Sequence, residues 1–237
     1  MKLAIDTSAE TCSVALQTNR GQVLHRYAHA PRQHASLILP WVDELLAEAG
    51  ASKNSLQAVC VSCGPGSFTG LRIGFSLGLS IAYALSIPVY PISSLLCLAQ
   101  GVIRKHKPKA PCTIISALDA RMDEIYLGRY DFQTNQSGHI EWASKSPEQL
   151  LRPAQFFIAD EGIDYMVAGN GLQAIQSEFS KVIEAQLTKV ELLPEYWPEA
   201  RDHFDLLEKL TPMSATTAEL VYIRNNVAKK AKELKSV

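Results

Sequence analysis

Residues 59–74 read VCVSCGPGSFTGLRIG, in which a short apolar run enters a glycine-rich turn that opens directly into a long apolar helix. Glycine permits positive φ and brings no Cβ, so Gly64, Gly66 and Gly70 let the backbone approach another group closely. The first N–H groups of the helix and its dipole favour an anion there. The spacing is not the dinucleotide-binding fingerprint, and the lysine of a P-loop is missing. The stretch fits either a phosphate cradle or a tight strand-to-helix connection.

The composition is that of a globular protein without a strong charge bias. The chain has 237 residues, of which 47% are hydrophobic and 20% are charged. This length suffices for one large domain or two small ones. The formal net charge of -1 excludes a globally basic nucleic-acid binder, so any contact with RNA is local.

The cysteines predict buried thiols in a reducing compartment, because their number is odd and most of them lie in apolar runs. They are Cys12, Cys60, Cys63, Cys97 and Cys112. Cys60 and Cys63 form a C-x-x-C, but side chains three apart on a strand point to opposite faces, which disfavours a metal or redox role.

The sequence predicts neither a signal peptide nor a membrane-spanning helix. The N-terminus reaches Asp6 too early for a signal peptide. The longest apolar helix, predicted over residues 73–87, is shorter than the roughly 18 residues of a membrane span. We expect a cytoplasmic protein with no membrane contact.

The first half of the chain predicts a mixed sheet flanked by helices. Strands are predicted at residues 3–5, 12–17, 22–27, 58–62 and 88–92, and the first three form an antiparallel meander. Helices are predicted from Ser36 to Gly50, over residues 71–85 and over residues 93–102.

The second half repeats the opening pattern after a basic, proline-containing linker at residues 104–111. A strand at 113–118 leads to Asp119 and a second strand at 124–130, as the first strand led to Asp6. A strand at 165–168 enters Gly169-Asn170-Gly171, like the first glycine turn. The repeat predicts an α/β fold of two related lobes, 1–103 and 104–237, that meet at a cleft.

A strand that ends in Asp6-Thr7-Ser8, repeated as a strand that ends in Asp119, resembles the actin-like ATPase (ribonuclease H-like) fold. In that fold, the turns that carry the two aspartates face the nucleotide phosphates and their magnesium. The resemblance implies a nucleotide or phosphate site, which we interpret as vestigial. Its residues are Asp6, Thr7, Ser8, Gly64, Gly66 and Asp119. The alternative is that Asp6 caps its own turn and that Asp119 pairs with Arg121.

Several motifs along the chain resemble the bacterial TsaB (YeaZ) family. They are LAIDTS at residues 3–8, GPGSFTGLRIG at 64–74, IPV at 87–89, SSL at 93–95, LDARMDEIY at 118–126 and YIRN at 222–225. The family implies a non-catalytic scaffold in the machinery that makes threonylcarbamoyladenosine in tRNA. The expected partners are the transferase TsaD, the ATPase TsaE, tRNA through the complex, and a second copy of this chain when TsaD is missing.

The resemblance also implies that the chain has no cofactor of its own, since ATP, magnesium and the catalytic metal belong to the partners. The paired metal-binding histidines of TsaD fall here at Ser94 and Leu98, and a hydroxyl and an isobutyl group do not form a metal clamp. The other histidines are scattered and are expected to be surface or capping residues. They are His25, His29, His34, His106, His139 and His203. We therefore expect no catalytic residue and no metal site.

Two helices offer a surface for the partner. The helix at 71–85 is apolar around most of its circumference, and Gly74 and Gly78 would let another helix approach closely. Burial inside its own lobe is the alternative. With the helix at 37–49, and with the family resemblance, the predicted interface comprises Leu37, Trp41, Leu45, Arg72, Phe75, Leu77, Leu79 and Tyr83.

The C-terminal segment 224–235 carries five basic residues against one glutamate. It is either a contact for tRNA or a solvated helix end whose charge complements the helix dipole.

Two other functions stay open. A stand-alone small-molecule kinase of the actin-like fold is one, although 237 residues is short for it. An endopeptidase is the other, but the sequence has no His-Glu-x-x-His and assigns no Ser/His/Asp set.

Overall fold

The computed structural model describes residues 1–109, 111–134, 140–152, 155, 164–173 and 190–224. The strands are β1 (Lys2–Asp6), β2 (Thr11–Gln17), β3 (Val23–His29), β4 (Ala58–Gly64), β5 (Val89–Ser93), β6 (Cys112–Arg121), β7 (Glu124–Thr134), β8 (Ile140–Lys145), β9 (Gln149–Leu151), β10 (Asp164–Ala168) and β11 (Val190–Leu193). The α-helices that are described from end to end are α1 (His34–Glu48), α2 (Phe68–Leu85) and α3 (Ser94–His106). Short 3-10 helices span Lys53–Ser55 and Ala200–Lys209.

The first lobe is a mixed sheet with the strand order β3-β2-β1-β4-β5. β1 pairs antiparallel with β2 and parallel with β4, so the predicted meander is present. β1 and β4 are buried along almost their whole length, which explains their continuous apolar sequences. Helices α1 and α2 bury Ile38, Leu45 and Phe75 in the same core as the β1 residues Leu3 and Ile5.

The second lobe repeats the five-strand order of the first and adds β9, which also pairs with β7. Its order is β11-β10-β6-β7-β8, and β6 pairs antiparallel with β7 and parallel with β10, as β1 does with β2 and β4. The predicted α/β fold class of two related lobes, each a mixed sheet flanked by helices, is confirmed. The division of the chain at residue 104 stays a prediction.

Helix α3 is longer than the sequence predicted. It continues to His106, so Arg104 and Lys105 lie in its last turn rather than in a linker. Both side chains are fixed there by acids of the 199–202 segment, since Arg104 pairs with Asp202 and Lys105 pairs with Glu199. These contacts to a distant segment continue the helix beyond the point at which its apolar pattern stops.

Helix α2 is also longer than predicted, because Ser67 caps it by accepting a hydrogen bond from the Gly70 N–H, and it begins at Phe68. With 18 residues and a mean hydropathy of 1.3, it has the length and composition of a membrane span, which corrects the expected length. In the structure it lies against the first sheet instead. A Cβ on Gly74 would lie 2.2 Å from Thr7 Oγ1, and a Cβ on Gly78 would lie 2.2 Å from Val61 Cγ1.

The chain returns to the first lobe after the second lobe is complete. The Ala200–Lys209 helix, which the sequence did not predict, packs Phe204 and Leu207 against a cluster that includes Ala4 and Cys60. Met213 then exchanges backbone hydrogen bonds with Val89 at the edge of the sheet. Residues 204–213 therefore complete the core and the edge of the first lobe.

Candidate functional site

A cleft of about 520 Å³ lies between the two lobes. It forms where β1 and β4 of the first lobe and β6 and β10 of the second lobe end, so the repeated turns face one another across it. Its lining comprises Ser8, Ala9, Glu10, Pro65, Gly66, Ser67, Phe68, Thr69, Leu71, Leu118, Asp119, Ala120, Arg121, Met122, Tyr126, Asn170, Val221, Tyr222, Ile223 and Arg224. Predicted site residues Ser8, Gly66 and Asp119 thus meet in one place, but Asp6 is not among the lining residues.

Asp6 is turned into the protein. Its Oδ1 accepts hydrogen bonds from the Ser8 N–H at 3.0 Å and the Ser8 hydroxyl at 2.7 Å. Its Oδ2 accepts a hydrogen bond from the Ser62 hydroxyl and lies 3.3 Å from His203 Nε2. Burial by itself would raise the pKa of this carboxyl, but the hydrogen bonds and the His203 charge outweigh burial and hold the pKa below its usual value. Asp6 therefore binds its own turn, β4 and the Ala200–Lys209 helix.

The glycines of the first turn bring the backbone against β1. A Cβ on Gly66 would lie 2.2 Å from the Ser8 carbonyl oxygen, and a Cβ on Gly70 would lie 2.2 Å from the Thr7 carbonyl oxygen. Thr7 itself donates from its hydroxyl to the Gly70 carbonyl at 2.7 Å. The close approach that these glycines permit is thus filled by the chain's own Asp6-Thr7-Ser8 turn. A phosphate site here stays a prediction.

The second lobe presents charges that are already paired. Asp119 accepts hydrogen bonds from the Arg121 N–H at 2.7 Å and pairs with its guanidinium at 3.0 Å. The same guanidinium reaches Glu10 of the first lobe at 2.9 Å. Arg224 pairs with Glu124 at 2.7 Å. Both arginines of the described cleft lining are therefore engaged by carboxylates, and neither offers an unpaired cation to a phosphate.

Asp6, Cys97 and His203 form a buried cluster whose ligand atoms lie within 4.8 Å of one another. His203 is fully buried, so its assignment to the surface was wrong, as was that of His34, which contacts the Thr11 carbonyl. Burial raises the pKa of the Cys97 thiol well above its usual value, which opposes the thiolate that a metal requires. Asp6 contacts His203 within the cluster, while the Cys97 thiol donates to the Glu199 carbonyl oxygen outside it.

Ser62, His203 and Asp6 are also a Ser/His/Asp set that the sequence could not assign. Both Ser62 Oγ, at 3.2 Å, and Asp6 Oδ2, at 3.3 Å, contact the same ring nitrogen, His203 Nε2. A catalytic triad needs the acid on the opposite nitrogen from the serine. His203 Nδ1 has no hydrogen-bond partner among the described residues, and all three side chains are buried. This geometry does not support a peptidase.

The predicted partner face divides into core and surface. Leu45 and Phe75 are buried in the first lobe's own core, so they present no area to another chain, which corrects their place in the predicted interface. Gly74 and Gly78 face the first sheet rather than a second helix. Tyr83 remains exposed at 70%, and Leu39 of α1 is exposed at 45%. Of the other predicted interface residues, Arg72 is exposed, and the partly buried ones are Leu37, Trp41, Leu77 and Leu79.

Comparison with known proteins decides the family. A family model described as "TsaD: tRNA N6-adenosine threonylcarbamoyltransferase" matches residues 22–231. The tRNA threonylcarbamoyladenosine biosynthesis protein TsaB of Haemophilus influenzae is 35% identical over 95% of this chain and 94% of its own length. The TsaB of Escherichia coli is 34% identical over 95% of both chains. The chain belongs to the TsaB family.

Solved structures agree with this TsaB assignment. YeaZ from Pseudomonas aeruginosa superposes with a TM-score of 0.80 at 33% identity, covering 93% of this chain and 98% of YeaZ. A further structure, described as an uncharacterized protein with similarity to peptidase YEAZ from Pseudomonas aeruginosa, gives a TM-score of 0.79. The resemblance to TsaB (YeaZ) is confirmed, and with it the actin-like architecture.

The basic residues Lys229, Lys230, Lys232 and Lys235 of the C-terminal segment lie outside the described residues.

Proposed function

We propose that this chain acts in tRNA threonylcarbamoyladenosine biosynthesis as a non-catalytic scaffold in the cytoplasm. It binds and stabilises a TsaD-like transferase, recruits a TsaE-like ATPase and meets tRNA through the complex. One observation carries the proposal. Asp6, the acid that the fold would offer to a nucleotide and magnesium, has both carboxylate oxygens engaged inside the protein.

The chemistry of the cleft supports a binding role. Phosphoryl transfer depends on metal ions and cations that are held ready for the transferred group. In the described cleft, Arg121 and Arg224 are paired with carboxylates. Outside the cleft lining, Ser94 and Leu98 occupy the positions at which the resemblance to TsaD would place a histidine clamp, and both are buried. We therefore favour a scaffold over a stand-alone small-molecule kinase and propose that the chain carries no cofactor of its own.

The exposed face of α1 and α2 supports a protein partner. Tyr83 and Leu39 are large apolar side chains that the first lobe leaves in solvent. Leu37, Trp41 and Leu77 on the same two helices are partly buried and pack against the core of the first lobe. In protein interfaces, binding energy concentrates in central aromatic side chains such as Tyr83, and the contacts around them mainly exclude water. We assign this face to the TsaD-like partner, and to a second copy of the chain when that partner is missing.

The partner surface is tested by Tyr83→Asp. We expect binding to the TsaD-like subunit to weaken by about 2 kcal/mol or more, roughly 30-fold in Kd, because the aromatic contact is lost and a carboxylate is buried. Isothermal titration calorimetry gives the Kd, and tRNA modification in cells gives the functional effect.

Leu192→Asp is the matched control for this variant. Leu192 is another large apolar side chain, and it is 47% exposed, but it lies on β11 in the second lobe. Its replacement should leave the Kd unchanged. If Tyr83→Asp folds, as judged by circular dichroism, and still binds and supports modification like the parent, the interface lies elsewhere.

The absence of catalysis is tested on the lone chain by metal analysis and a steady-state ATPase assay. We expect no stoichiometric transition metal, because the Cys97 thiol stays protonated and Asp6 is engaged. We expect ATP turnover far below about 1 per second, the low end of ordinary enzymes. A tightly held metal, or ATP turnover near that rate, would contradict the scaffold proposal and favour a stand-alone kinase.

A further inference from the structure

We propose that residues 221–224, here called the strap, bridge the cleft and set the opening between the two lobes. The strap leaves the core of the first lobe, crosses the mouth of the cleft and ends on the hairpin between β6 and β7. Its side chains form part of the cleft wall. This proposal concerns the lobes of the chain itself and does not depend on the proposed function.

The strap is anchored on the first lobe by backbone and ring contacts. The Val221 N–H donates to the Cys63 carbonyl at 2.8 Å, at the end of β4. Gly64 makes this approach possible, since a Cβ there would lie 2.7 Å from the Val221 carbonyl oxygen. Next, the Tyr222 hydroxyl accepts a hydrogen bond from Arg72 Nε at 3.1 Å, and the same guanidinium stacks 3.6 Å above the Phe68 ring. Both contacts lie at the start of α2.

The strap is anchored on the second lobe by one side chain. Arg224 Nη2 donates to the Ala120 carbonyl at 2.9 Å and pairs with Glu124 Oε2 at 2.7 Å. The Arg224 side chain is only 14% exposed, so water screens this ion pair less than it screens a surface pair. A single guanidinium thus ties both sides of the hairpin to the strap.

The hairpin that receives Arg224 has an unfavourable backbone. Arg121, Met122 and Asp123 have φ angles of 63°, 58° and 57°, in the left-handed region that residues other than glycine seldom adopt. Such conformations persist where surrounding contacts impose them. Arg224 supplies those contacts, because it also lies 3.3 Å from the Arg121 carbonyl oxygen. The strap and the hairpin therefore hold each other in place.

The remaining link across the mouth is weaker. Arg121 reaches Glu10 at 2.9 Å, but these side chains are 73% and 43% exposed, and exposed pairs contribute about 1 kcal/mol at most. Behind the cleft, the lobes are joined at the start of α3, where Ser93 and Tyr130 both donate to Glu148. In this proposal α3 is the fixed side of the cleft, and the strap holds the opposite side closed.

The opening is measured by electron paramagnetic resonance between two spin labels, one on each lobe. Ser76→Cys on α2 and Gln173→Cys after β10 place the labels at exposed positions of the two lobes, and the five native cysteines are buried from the labelling reagent. In the full chain, Arg224→Ala should lengthen the mean label distance by more than about 2 Å, the scale of domain rearrangements, and broaden its distribution. Glu124→Gln, which removes the charge but keeps the shape, should shift the distribution in the same direction.

Arg20→Ala is the matched control, since Arg20 is an exposed arginine in the turn between β2 and β3, and it should leave the distance unchanged. An unchanged distance in folded Arg224→Ala would overturn the proposal. If that variant does not fold, Arg224→Lys and Glu124→Gln take its place, and parent-like distances in both would overturn it equally. A shift in Arg20→Ala as large as in Arg224→Ala would also count against the strap.

Discussion

Gly169→Ala is expected to lower the free energy of unfolding by about 3 kcal/mol or more. Gly169 follows β10 with a φ of +116°, which disfavours any side chain. A Cβ there would also lie 2.1 Å from the Ala117 carbonyl oxygen, so the backbone of β6 would have to move. Urea denaturation followed by circular dichroism measures the loss.

Gly21→Ala separates the two causes. Gly21 also has a positive φ, +81°, but a Cβ there would meet nothing within 4 Å. In this variant the free energy of unfolding should fall by only about 1–2 kcal/mol, the cost of placing alanine in a left-handed backbone conformation. Equal losses at the two positions would show that the contact between Gly169 and β6 contributes nothing.

Arg104→Met is expected to cost about 3–5 kcal/mol of unfolding free energy, because it leaves the fully buried Asp202 without its cation. Burial raises the pKa of the Asp202 carboxyl above its usual value even beside Arg104. Without Arg104 the pKa rises further, and the native state then takes up a proton more readily than the unfolded state. Stability of the variant therefore recovers as pH falls, and its deficit should be smaller at about pH 5 than at about pH 7.

Lys53→Met is the control for this ion pair. Lys53 pairs with Asp43 at 3.1 Å, but both side chains are more than half exposed, so the loss should be about 1 kcal/mol or less. Arg104→Lys should lose less than Arg104→Met, because the charge remains while the two-point contact is gone. A deficit in Arg104→Met no larger than in Lys53→Met would contradict a structural role for the pair.

The sequence predicted the fold well where each signal is local. The buried strands β1 and β4 have continuous apolar runs, and Gly64, Gly66 and Gly70 mark the turn that leads from β4 into α2. The duplication was visible because Asp119 follows β6 as Asp6 follows β1. These features depend on residues a few positions apart, and a single sequence carries that information.

The rest depends on which distant segment covers each surface. Gly74 and Gly78 mark a close approach, but nothing local distinguishes a sheet of the same chain from a partner helix. The apolar positions of α2 likewise do not reveal that Phe75 faces the core while Tyr83 faces solvent. Helix α3 extends to His106 because of acids almost 100 residues later, which no window along the sequence contains.

The candidate site was predicted in part for the same reason. Ser8, Gly66 and Asp119 do line one cleft, as the repeat predicted. The partner of Asp6 was missed, because His203 lies 197 residues away in a segment with no motif. The sequence signal near His203 is the pair of apolar residues Phe204 and Leu207. These residues mark the face of the Ala200–Lys209 helix that packs on the first sheet, but they do not indicate which sheet that is.

The return of the chain to the first lobe has a consequence for synthesis on the ribosome. The core beneath β1 and β4 needs Phe204 and Leu207, β5 needs Met213 as its edge partner, and the end of β4 needs Val221. Domains usually fold in the order in which they emerge. Here the N-terminal lobe emerges first but is completed only after the second lobe, so we expect a nascent chain to carry an incomplete first sheet until residues 204–221 have been translated.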